Sequence, residues 1–258
     1  MAVKKRLLLV LIILVALGTV GYFIKSNSKR ASNNQLSKPS LENTREKGVY
    51  ALIGWNELPS DATWQKPFVD GVVIRTYWKD LNPQQKVYTW DYLDEQFSNS
   101  KKFNKKIKLV IAPGVYSPDW VLQNPKIEKA LFMIPQGPKQ GLHEAIPLPW
   151  DKTYLSLWFE FLNEISQRYG TNQSFVSISL TGPNSHNGEM SLPRERQDED
   201  VWLSLVSQDN NKLRKNLSDA WKSTIDKYCE DFPNKSSALA IISKSLPTWA
   251  WLFESIRW

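Results

Sequence analysis

The feature that most constrains the fold is an alternation of short apolar segments with amphipathic ones between Gly48 and Trp258. Five segments have the length, the β-branched content and the glycine or polar boundaries that are typical of buried strands. They span residues 49–55, 71–78, 107–113, 174–180 and 237–243. Strands that are separated by helices pair in parallel through right-handed crossovers. The sequence therefore predicts an α/β fold.

Three of the segments between these strands predict helices. The first spans residues 90–104, with Asp91 in a position to cap it. The clearest begins after Asp151, where apolar residues recur at three- and four-residue spacing until Gly170 offers a stop. The third is marked by apolar residues on one helical face, namely Leu217, Trp221, Ile225 and Tyr228.

An α/β chain of this kind forms either a doubly wound nucleotide-binding sheet or a (β/α)8 barrel. The glycine-rich turns of nucleotide-binding sheets, GxGxxG and GxxxxGK[ST], do not occur in the sequence. A barrel places its chemistry in the loops after the carboxyl ends of its strands. Those loops are long here and rich in Trp, Tyr, Asn and carboxylates, and the longest, residues 114–150, holds six prolines that argue against a helix running through it. The barrel is favoured.

The body is short for a complete barrel. Residues 49–258 provide five predicted strands, whereas eight βα units typically need about 250 residues. We therefore expect an incomplete barrel of about five units, with the edges of its first and fifth strands exposed. A truncated gene product is the favoured explanation, and a missing part supplied from elsewhere is the alternative. The aromatic stretch SLPTWAWLFESIRW at the C-terminus is a candidate for partly covering the open side.

The charge of the chain is concentrated at its N-terminus. The formal net charge is +7, and residues 1–48 hold nine Lys or Arg against two Asp or Glu. Because basic and acidic residues are equal in number from residue 49 onward, the body does not have the excess of positive charge that nucleic-acid binding requires. We expect no nucleic-acid partner.

An uncharged run of 18 residues, Leu7–Ile24, follows three basic residues at the start of the chain. A helix of this length extends about 27 Å, which is just enough to span a bilayer. The run predicts a membrane anchor with the body exported, either periplasmic or at the cell surface. A cleaved signal peptide, which would release the body, is the alternative, with a weak cleavage signal at Ala16–Gly18. The polar residues 26–47 are interpreted as a flexible linker, followed by the body at 48–258.

Cysteine and histidine are too few to support a disulfide framework or a metal site. Cys229 is the single cysteine, so it has no internal partner, and we interpret it as structural. The two histidines, His143 and His186, do not have metal-ligand spacing. The sequence predicts neither a metal nor another cofactor.

The segment GVVIRTYWKDLNPQQKVYTWDYLDE, residues 71–95, resembles the second βα unit of the glycoside hydrolase superfamily of (β/α)8 barrels. It resembles especially the β-galactosidase-like, family 42 type members of this superfamily. The shared pattern is a strand, Arg, two residues, Trp, then Pro, a tight turn, Tyr, Trp and Asp at a helix. Lys86 stands where such proteins often have Gly. Further similar segments extend the resemblance over roughly residues 50–195.

The resemblance implies a general acid/base just past the fourth strand, commonly a Glu directly preceded by Asn. That pair is broken here, because Ser185 follows Asn184, and the nearest carboxylate is Glu189 in the loop LTGPNSHNGEMSLP. Glu189 is thus the candidate acid/base, or alternatively a solvated loop charge. Arg75 resembles the arginine that orients a nucleophilic carboxylate, with a structural ion pair as the alternative. In retaining members that nucleophile comes from the seventh strand, for which Glu254 arrives too early.

Residues at or just beyond the strand ends are candidates for binding sugar, because flat rings stack on sugar faces and polar groups bind hydroxyls. For each aromatic residue a place in the core is an equal alternative, since the chain has 12 Trp. The candidates are Tyr77, Trp78, Tyr116, Asp119, Trp120, Trp150, Asn184 and His186.

Two functional hypotheses follow. The first is an exported, membrane-tethered glycoside hydrolase-like protein that acts on β-linked carbohydrate by double displacement, with Glu189 as acid/base and the nucleophile outside this chain. The second is a noncatalytic carbohydrate-binding domain or an inactive remnant of such a barrel. Hydrolysis requires two carboxylates across the bond, whereas binding requires only rings and hydroxyl partners. Neither the sugar, the linkage nor the oligomeric state follows from the sequence.

Overall fold

The computed structural model describes residues 47–134, 139–184, 192–193 and 196–239. These residues contain seven strands: β1 (Tyr50–Trp55), β2 (Gly71–Tyr77), β3 (Lys106–Ala112), β4 (Lys129–Met133), β5 (His143–Pro147), β6 (Phe175–Ser179) and β7 (Ser236–Ala238). Five of them form one parallel sheet in the order β1-β2-β3-β6-β7. The predicted α/β fold is confirmed.

The predicted barrel is present only in part. Within the described residues β1 and β7 each pair with a single neighbour, so the sheet is open and no barrel closes. The first four predicted strands agree with β1, β2, β3 and β6 to within a residue or two. The fifth begins at Ser236, and the end predicted for it, residues 240–243, lies outside the described part of the chain.

Seven helices connect these strands: α1 (Asp61–Gln65), α2 (Trp78–Leu81), α3 (Asp91–Lys102), α4 (Asp119–Leu122), α5 (Lys152–Tyr169), α6 (Arg196–Ser204) and α7 (Asn210–Asp231). The three predicted helices correspond to α3, α5 and α7. Asp151 caps α5, since its Oδ1 accepts a hydrogen bond of 2.7 Å from the backbone N–H of Tyr154, and Gly170 ends that helix. Asp91 is the first residue of α3 rather than its cap, a position occupied by Trp90.

The first apolar cluster lies between one face of the sheet and the long helices. Strand residues alternate in direction, so Val72 and Ile74 of β2 pack into this cluster while Val73 and Arg75 are only half-buried. Helix α5 supplies Trp158, which meets Trp78 and Phe161 at ring-centroid distances of 5.0 and 5.4 Å. The cluster extends over α3 and the C-terminal half of α7.

The long loop predicted between β3 and α5 is structured, which the sequence analysis missed. It contains a 3-10 turn (Gly114–Tyr116), α4 and an antiparallel hairpin in which β4 pairs with β5 from Lys129↔Pro147 to Met133↔His143. The described prolines do not prevent this, because Pro118, Pro125 and Pro149 lie outside the strands and Pro147 lies at a strand end.

The hairpin builds a second apolar cluster at the carboxyl edge of the sheet. Phe132 of β4 packs on Trp202 of α6 at 4.5 Å, and Trp221 from α7 is buried in the same cluster. Helix α6 was not predicted. The sheet edge is therefore partly covered by apolar side chains.

No helix among the described residues is long and apolar enough to cross a bilayer. The predicted anchor, Leu7–Ile24, and all of the linker before Lys47 lie outside the described residues. Both stay predictions.

Candidate functional site

Three aromatic rings line the carboxyl edge of the sheet. Trp55 ends β1, Tyr77 ends β2, and Tyr116 closes the 3-10 turn after β3. The rings of Trp55 and Tyr77 stack at 5.0 Å, and those of Tyr77 and Tyr116 lie 4.2 Å apart. These three residues, called the aromatic row below, meet because the carboxyl ends of parallel strands share one edge.

Arg75 lies beside the aromatic row. Its Nε donates a 2.6 Å hydrogen bond to the carbonyl of Ile53, and its guanidinium carbon is 5.1 Å from the ring centroid of Trp55. It forms no ion pair with a carboxylate of the described residues. The structural ion pair that the sequence left open is therefore absent from this part of the chain, and Arg75 holds the ends of β1 and β2 together.

A polar network borders the row on the β1–β2 side. The backbone of Asn56 is in the left-handed region, at φ 58°. Its side-chain Nδ2 donates to Asp80 Oδ2 at 2.7 Å, and its Oδ1 accepts from the buried Thr76 hydroxyl at 2.7 Å. Asp80 also pairs with Lys79 at 2.9 Å. The Lys79 ammonium lies 5.6 Å from the Tyr77 ring centroid. The network fixes one carboxylate and one cation beside the rings.

The two tyrosines of the row stay protonated. Burial raises the pKa of Tyr77 to about 12, helped by Tyr116 and Asp80 and opposed by Arg75. Burial also raises the pKa of Tyr116, with a further contribution from the Glu144 carboxylate. Both hydroxyls can therefore donate hydrogen bonds at neutral pH.

Trp78 and Trp120, two predicted sugar-binding rings, do not join the row. Trp78 is fully buried in the first cluster, where its Nε1 donates to Asn82 Oδ1 at 3.2 Å. The reason is that α2 begins at Trp78 and turns the ring under the sheet. Of the two places left open for Trp78, the structure shows the one in the core. Trp120 is half-buried, edge-on to Trp78 at 6.3 Å, and the neighbouring Asp119 is exposed at the start of α4.

Trp150 packs into the second cluster rather than onto the row. It is half-buried, contacts both apolar clusters, and its ring lies 5.8 Å from that of Trp202. Asn184, also a predicted sugar contact, is buried after β6. Of the predicted residues, the structure thus gathers Arg75, Tyr77 and Tyr116 at one place.

The turn after β6 is held by buried side chains of two helices. Tyr154 accepts from the N–H of Gly114 at 3.2 Å and donates to the carbonyl of Gly182 at 3.1 Å. Tyr228 and Trp158 both bind Thr181. Gly182 has φ 130°, and a Cβ there would come within 2.7 Å of Trp158 Nε1, so only glycine fits. The start of the loop that carries the predicted acid/base is therefore fixed.

Glu189 and His186 lie outside the described residues. Their predicted roles are not tested by the geometry. The described residues contain no group of three or more His, Cys, Asp or Glu suited to a metal ion.

Sequence reasoning missed Trp55, Asn56 and Asp80. A signal was present in the sequence. Trp55 and Asn56 lie at the carboxyl end of β1 as Tyr77 lies at that of β2, and residues at the carboxyl ends of barrel strands are candidates for the site. Asp80 gave a weaker signal, since it lies in a short helix that the sequence did not predict.

Comparisons with known proteins give a likeness in structure only. No protein-family model matches the sequence, and no curated protein matches it. Among solved structures, a β-galactosidase from the psychrophilic Marinomonas ef1 matches 76% of this chain with a TM-score of 0.51 and 14% identity. A β-galactosidase from Rahnella sp. R3 matches 77% with a TM-score of 0.51 and 12% identity.

The chain is similar in fold to part of these two β-galactosidases. It covers 37% and 36% of the two β-galactosidase chains, so it spans little more than a third of their length. At 12–14% identity the likeness establishes the fold and no more. It agrees with the resemblance that residues 71–95 showed.

Proposed function

We propose that the body binds a β-linked carbohydrate at the carboxyl edge of its sheet, as a glycoside hydrolase-like domain. The observation that supports this proposal is the aromatic row with the polar network beside it. Rings and a few fixed polar groups are the usual components of a site for a small polar ligand. Tyr77 stacks on Trp55 and lies tilted against Tyr116, and the Arg75 guanidinium lies over the Trp55 ring. A sugar would therefore meet ring edges and the protonated hydroxyls.

Calorimetric titration of the full chain in detergent with β-linked galactosides, glucosides and xylosides tests this proposal. We expect Trp55→Ala to weaken binding about two- to tenfold, the effect of losing an aromatic contact worth about 0.5–1.5 kcal/mol. Phe68→Ala is the matched control, because Phe68 is 66% exposed on the opposite edge of the sheet and should leave the affinity unchanged. Equal affinities of Trp55→Ala and the unaltered chain would place the site elsewhere.

We further propose that Glu189 acts as general acid/base in hydrolysis. A glycosidic oxygen leaves readily only when it is protonated, and a carboxylic acid beside the scissile bond supplies that proton. The support is positional, since Glu189 follows the turn that Tyr154 and Trp158 hold at the carboxyl edge. Double displacement also requires a nucleophilic carboxylate, to which we assign no residue.

Turnover of aryl β-glycosides separates hydrolysis from binding. Glu189→Gln should lower the rate by roughly 10²–10⁴-fold, the usual contribution of acid–base catalysis. Glu128→Gln, an exposed carboxylate before β4, is the control. Equal rates in all three chains would remove Glu189 from the mechanism. Carbohydrate binding without turnover in the unaltered chain would favour the noncatalytic hypothesis.

Export and membrane tethering through residues 7–24 are also part of the proposal. They rest on the apolar run and its basic flank. A phosphatase fused after Trp258 should be active only outside the cytoplasm, and the chain should stay with membranes after an alkaline wash. A mature protein that begins near residue 19 would instead indicate a cleaved signal peptide.

A further inference from the structure

The amino edge of the parallel sheet is strongly basic, although the body as a whole is neutral. The segments at this edge are residues 47–50, 66–71, 101–106, 170–175 and 231–236. Together they hold seven lysines and two aspartates. The lysines are Lys47, Lys66, Lys101, Lys102, Lys105, Lys106 and Lys235. We call this surface the basic edge.

The lysines of the basic edge have no carboxylate partners in the described part of the chain. None of the ion pairs found there involves any of the seven. The two aspartates serve other groups, because Asp70 accepts the N–H of Val49 at 2.7 Å and Asp231 pairs with Lys227 at 2.8 Å. The pKa of Lys235 is lowered, first by burial and then by Lys106, so positive charges crowd here.

Two apolar side chains project among these lysines. Phe68 is 66% exposed and Val49 is 55% exposed. The loop that carries Phe68 is held by Lys105, whose Nζ donates to the carbonyls of Lys66 and Val69 at 2.9 and 2.5 Å. Lys106 and Lys235 likewise donate to the carbonyls of Gln173 and Asn172, at 3.3 and 2.8 Å. An aromatic ring on a fixed loop, surrounded by lysines that have no carboxylate partner, is the composition of a protein surface that meets a membrane interface.

We propose that the basic edge binds the headgroups of an anionic phospholipid surface, with Phe68 inserted among them. Lipid is favoured over other polyanions by the exposed ring, since an apolar side chain is stabilised by insertion at a membrane interface. The choice of lipid rests on the proposed anchor. As a flexible coil, the predicted linker of 22 residues, 26–47, would have an end-to-end distance of about 25 Å, which would keep an anchored body near the bilayer.

The orientation has a consequence for the candidate site. The aromatic row lies at the opposite edge of the same sheet, so a body that rests on its basic edge turns the row away from the membrane. Electrostatic attraction of a lysine to an anionic surface changes binding about fivefold per charge. Removal of three lysines should therefore shift the bound-to-unbound ratio of the body about a hundredfold.

Hydrogen exchange on the full chain in lipid nanodiscs tests the proposal. Discs of phosphatidylcholine alone are compared with discs containing 30% phosphatidylglycerol. We expect residues 66–70 and 101–106 to exchange several-fold more slowly in the anionic discs only, and salt to remove the difference. The triple variant Lys66→Glu/Lys101→Glu/Lys102→Glu should lose the protection. The control Lys126→Glu/Lys152→Glu/Lys212→Glu, with three exposed lysines of the other edge, should keep it.

Equal exchange in both disc types would overturn the proposal, as would protection that survives in the first triple variant. Phe68→Ser should weaken protection without abolishing it. If the chain fails to co-elute with discs, the predicted membrane anchor is wrong. Flotation with preformed phosphatidylglycerol vesicles then tests the lipid contact of the basic edge by itself, and a chain that does not float refutes that contact. Protection by heparin in detergent, without protection in anionic discs, would identify a soluble polyanion as the partner instead.

Discussion

The two apolar clusters of the body differ in position and in what surrounds them. The first lies under β1, β2, β3 and β6 and is closed on its far side by three long helices. The second lies over the carboxyl edge, where the hairpin, α6 and one half of α7 meet, and its rim residues Trp55, Tyr77 and Trp150 are half-buried. The first cluster therefore holds the sheet together, whereas the second shapes the place where a ligand would bind.

The largest effect is expected from Trp158→Ala in the first cluster. Trp158 is fully buried, contacts Trp78 and Phe161, and donates to the carbonyl of Thr181 at 3.2 Å. Loss of the ring leaves a cavity and an unpaired carbonyl, so the free energy of unfolding should fall by roughly 4–5 kcal/mol. Urea denaturation followed by circular dichroism measures it. A loss below about 1 kcal/mol would mean that the cluster is not the main support of the sheet.

A smaller and more local effect is expected from Trp202→Ala in the second cluster. Trp202 packs on Phe132 at 4.5 Å and donates to the carbonyl of Pro193 at 2.8 Å. We expect a loss of about 3 kcal/mol, at the low end for a buried tryptophan, because an edge cluster can close over the gap.

Hydrogen exchange distinguishes this outcome from general destabilisation. In Trp202→Ala the amides of β4 and β5 should exchange faster, while those of β3 should keep their protection. In Trp158→Ala both groups should change together. If β3 also loses protection in Trp202→Ala, the two clusters form one cooperative unit and the comparison between them does not hold.

The difference between the two clusters also explains how much of the structure could be predicted from the sequence. The first cluster comes from strands and helices whose periodicity is local, so five strands and three helices could be recognised. In the second cluster, Ala130 and Phe132 alternate with Leu131, but all three are apolar, so the period of two is hidden. Pairing with β5 depends on residues 10–18 positions away. At the site, strand ends identified Tyr77 and Tyr116. The direction of Trp78 depended on α2, which no local signal indicated.

The smallest effect concerns acid stability at the rim of the first cluster. The Asp94 carboxylate of α3 binds Arg168 of α5 in two places, at 2.5 and 3.1 Å, and accepts the Tyr169 hydroxyl at 2.7 Å. The hydrogen bond from Arg168 holds the pKa of Asp94 below its usual value, with Tyr169 contributing in the same direction and burial opposing both. A lowered pKa means that the pair stabilises the fold above the pKa of an unfolded aspartate, near 3.9, and that this contribution is lost as the pH falls through the folded value.

Asp94→Asn should therefore lower the free energy of unfolding at pH 7 by at most about 1 kcal/mol, because both partners are more than 40% exposed. The difference from the unaltered chain should shrink as the pH falls below 4, since the carboxyl then carries no charge in either state. Asp219→Asn, which removes the more exposed pair with Lys215 on α7, is the control and should change less. If the difference in unfolding free energy between Asp94→Asn and the unaltered chain persists unchanged at pH 2.5, Asp94 acts through hydrogen-bond geometry rather than charge. Acid would then loosen the first cluster no more than the second.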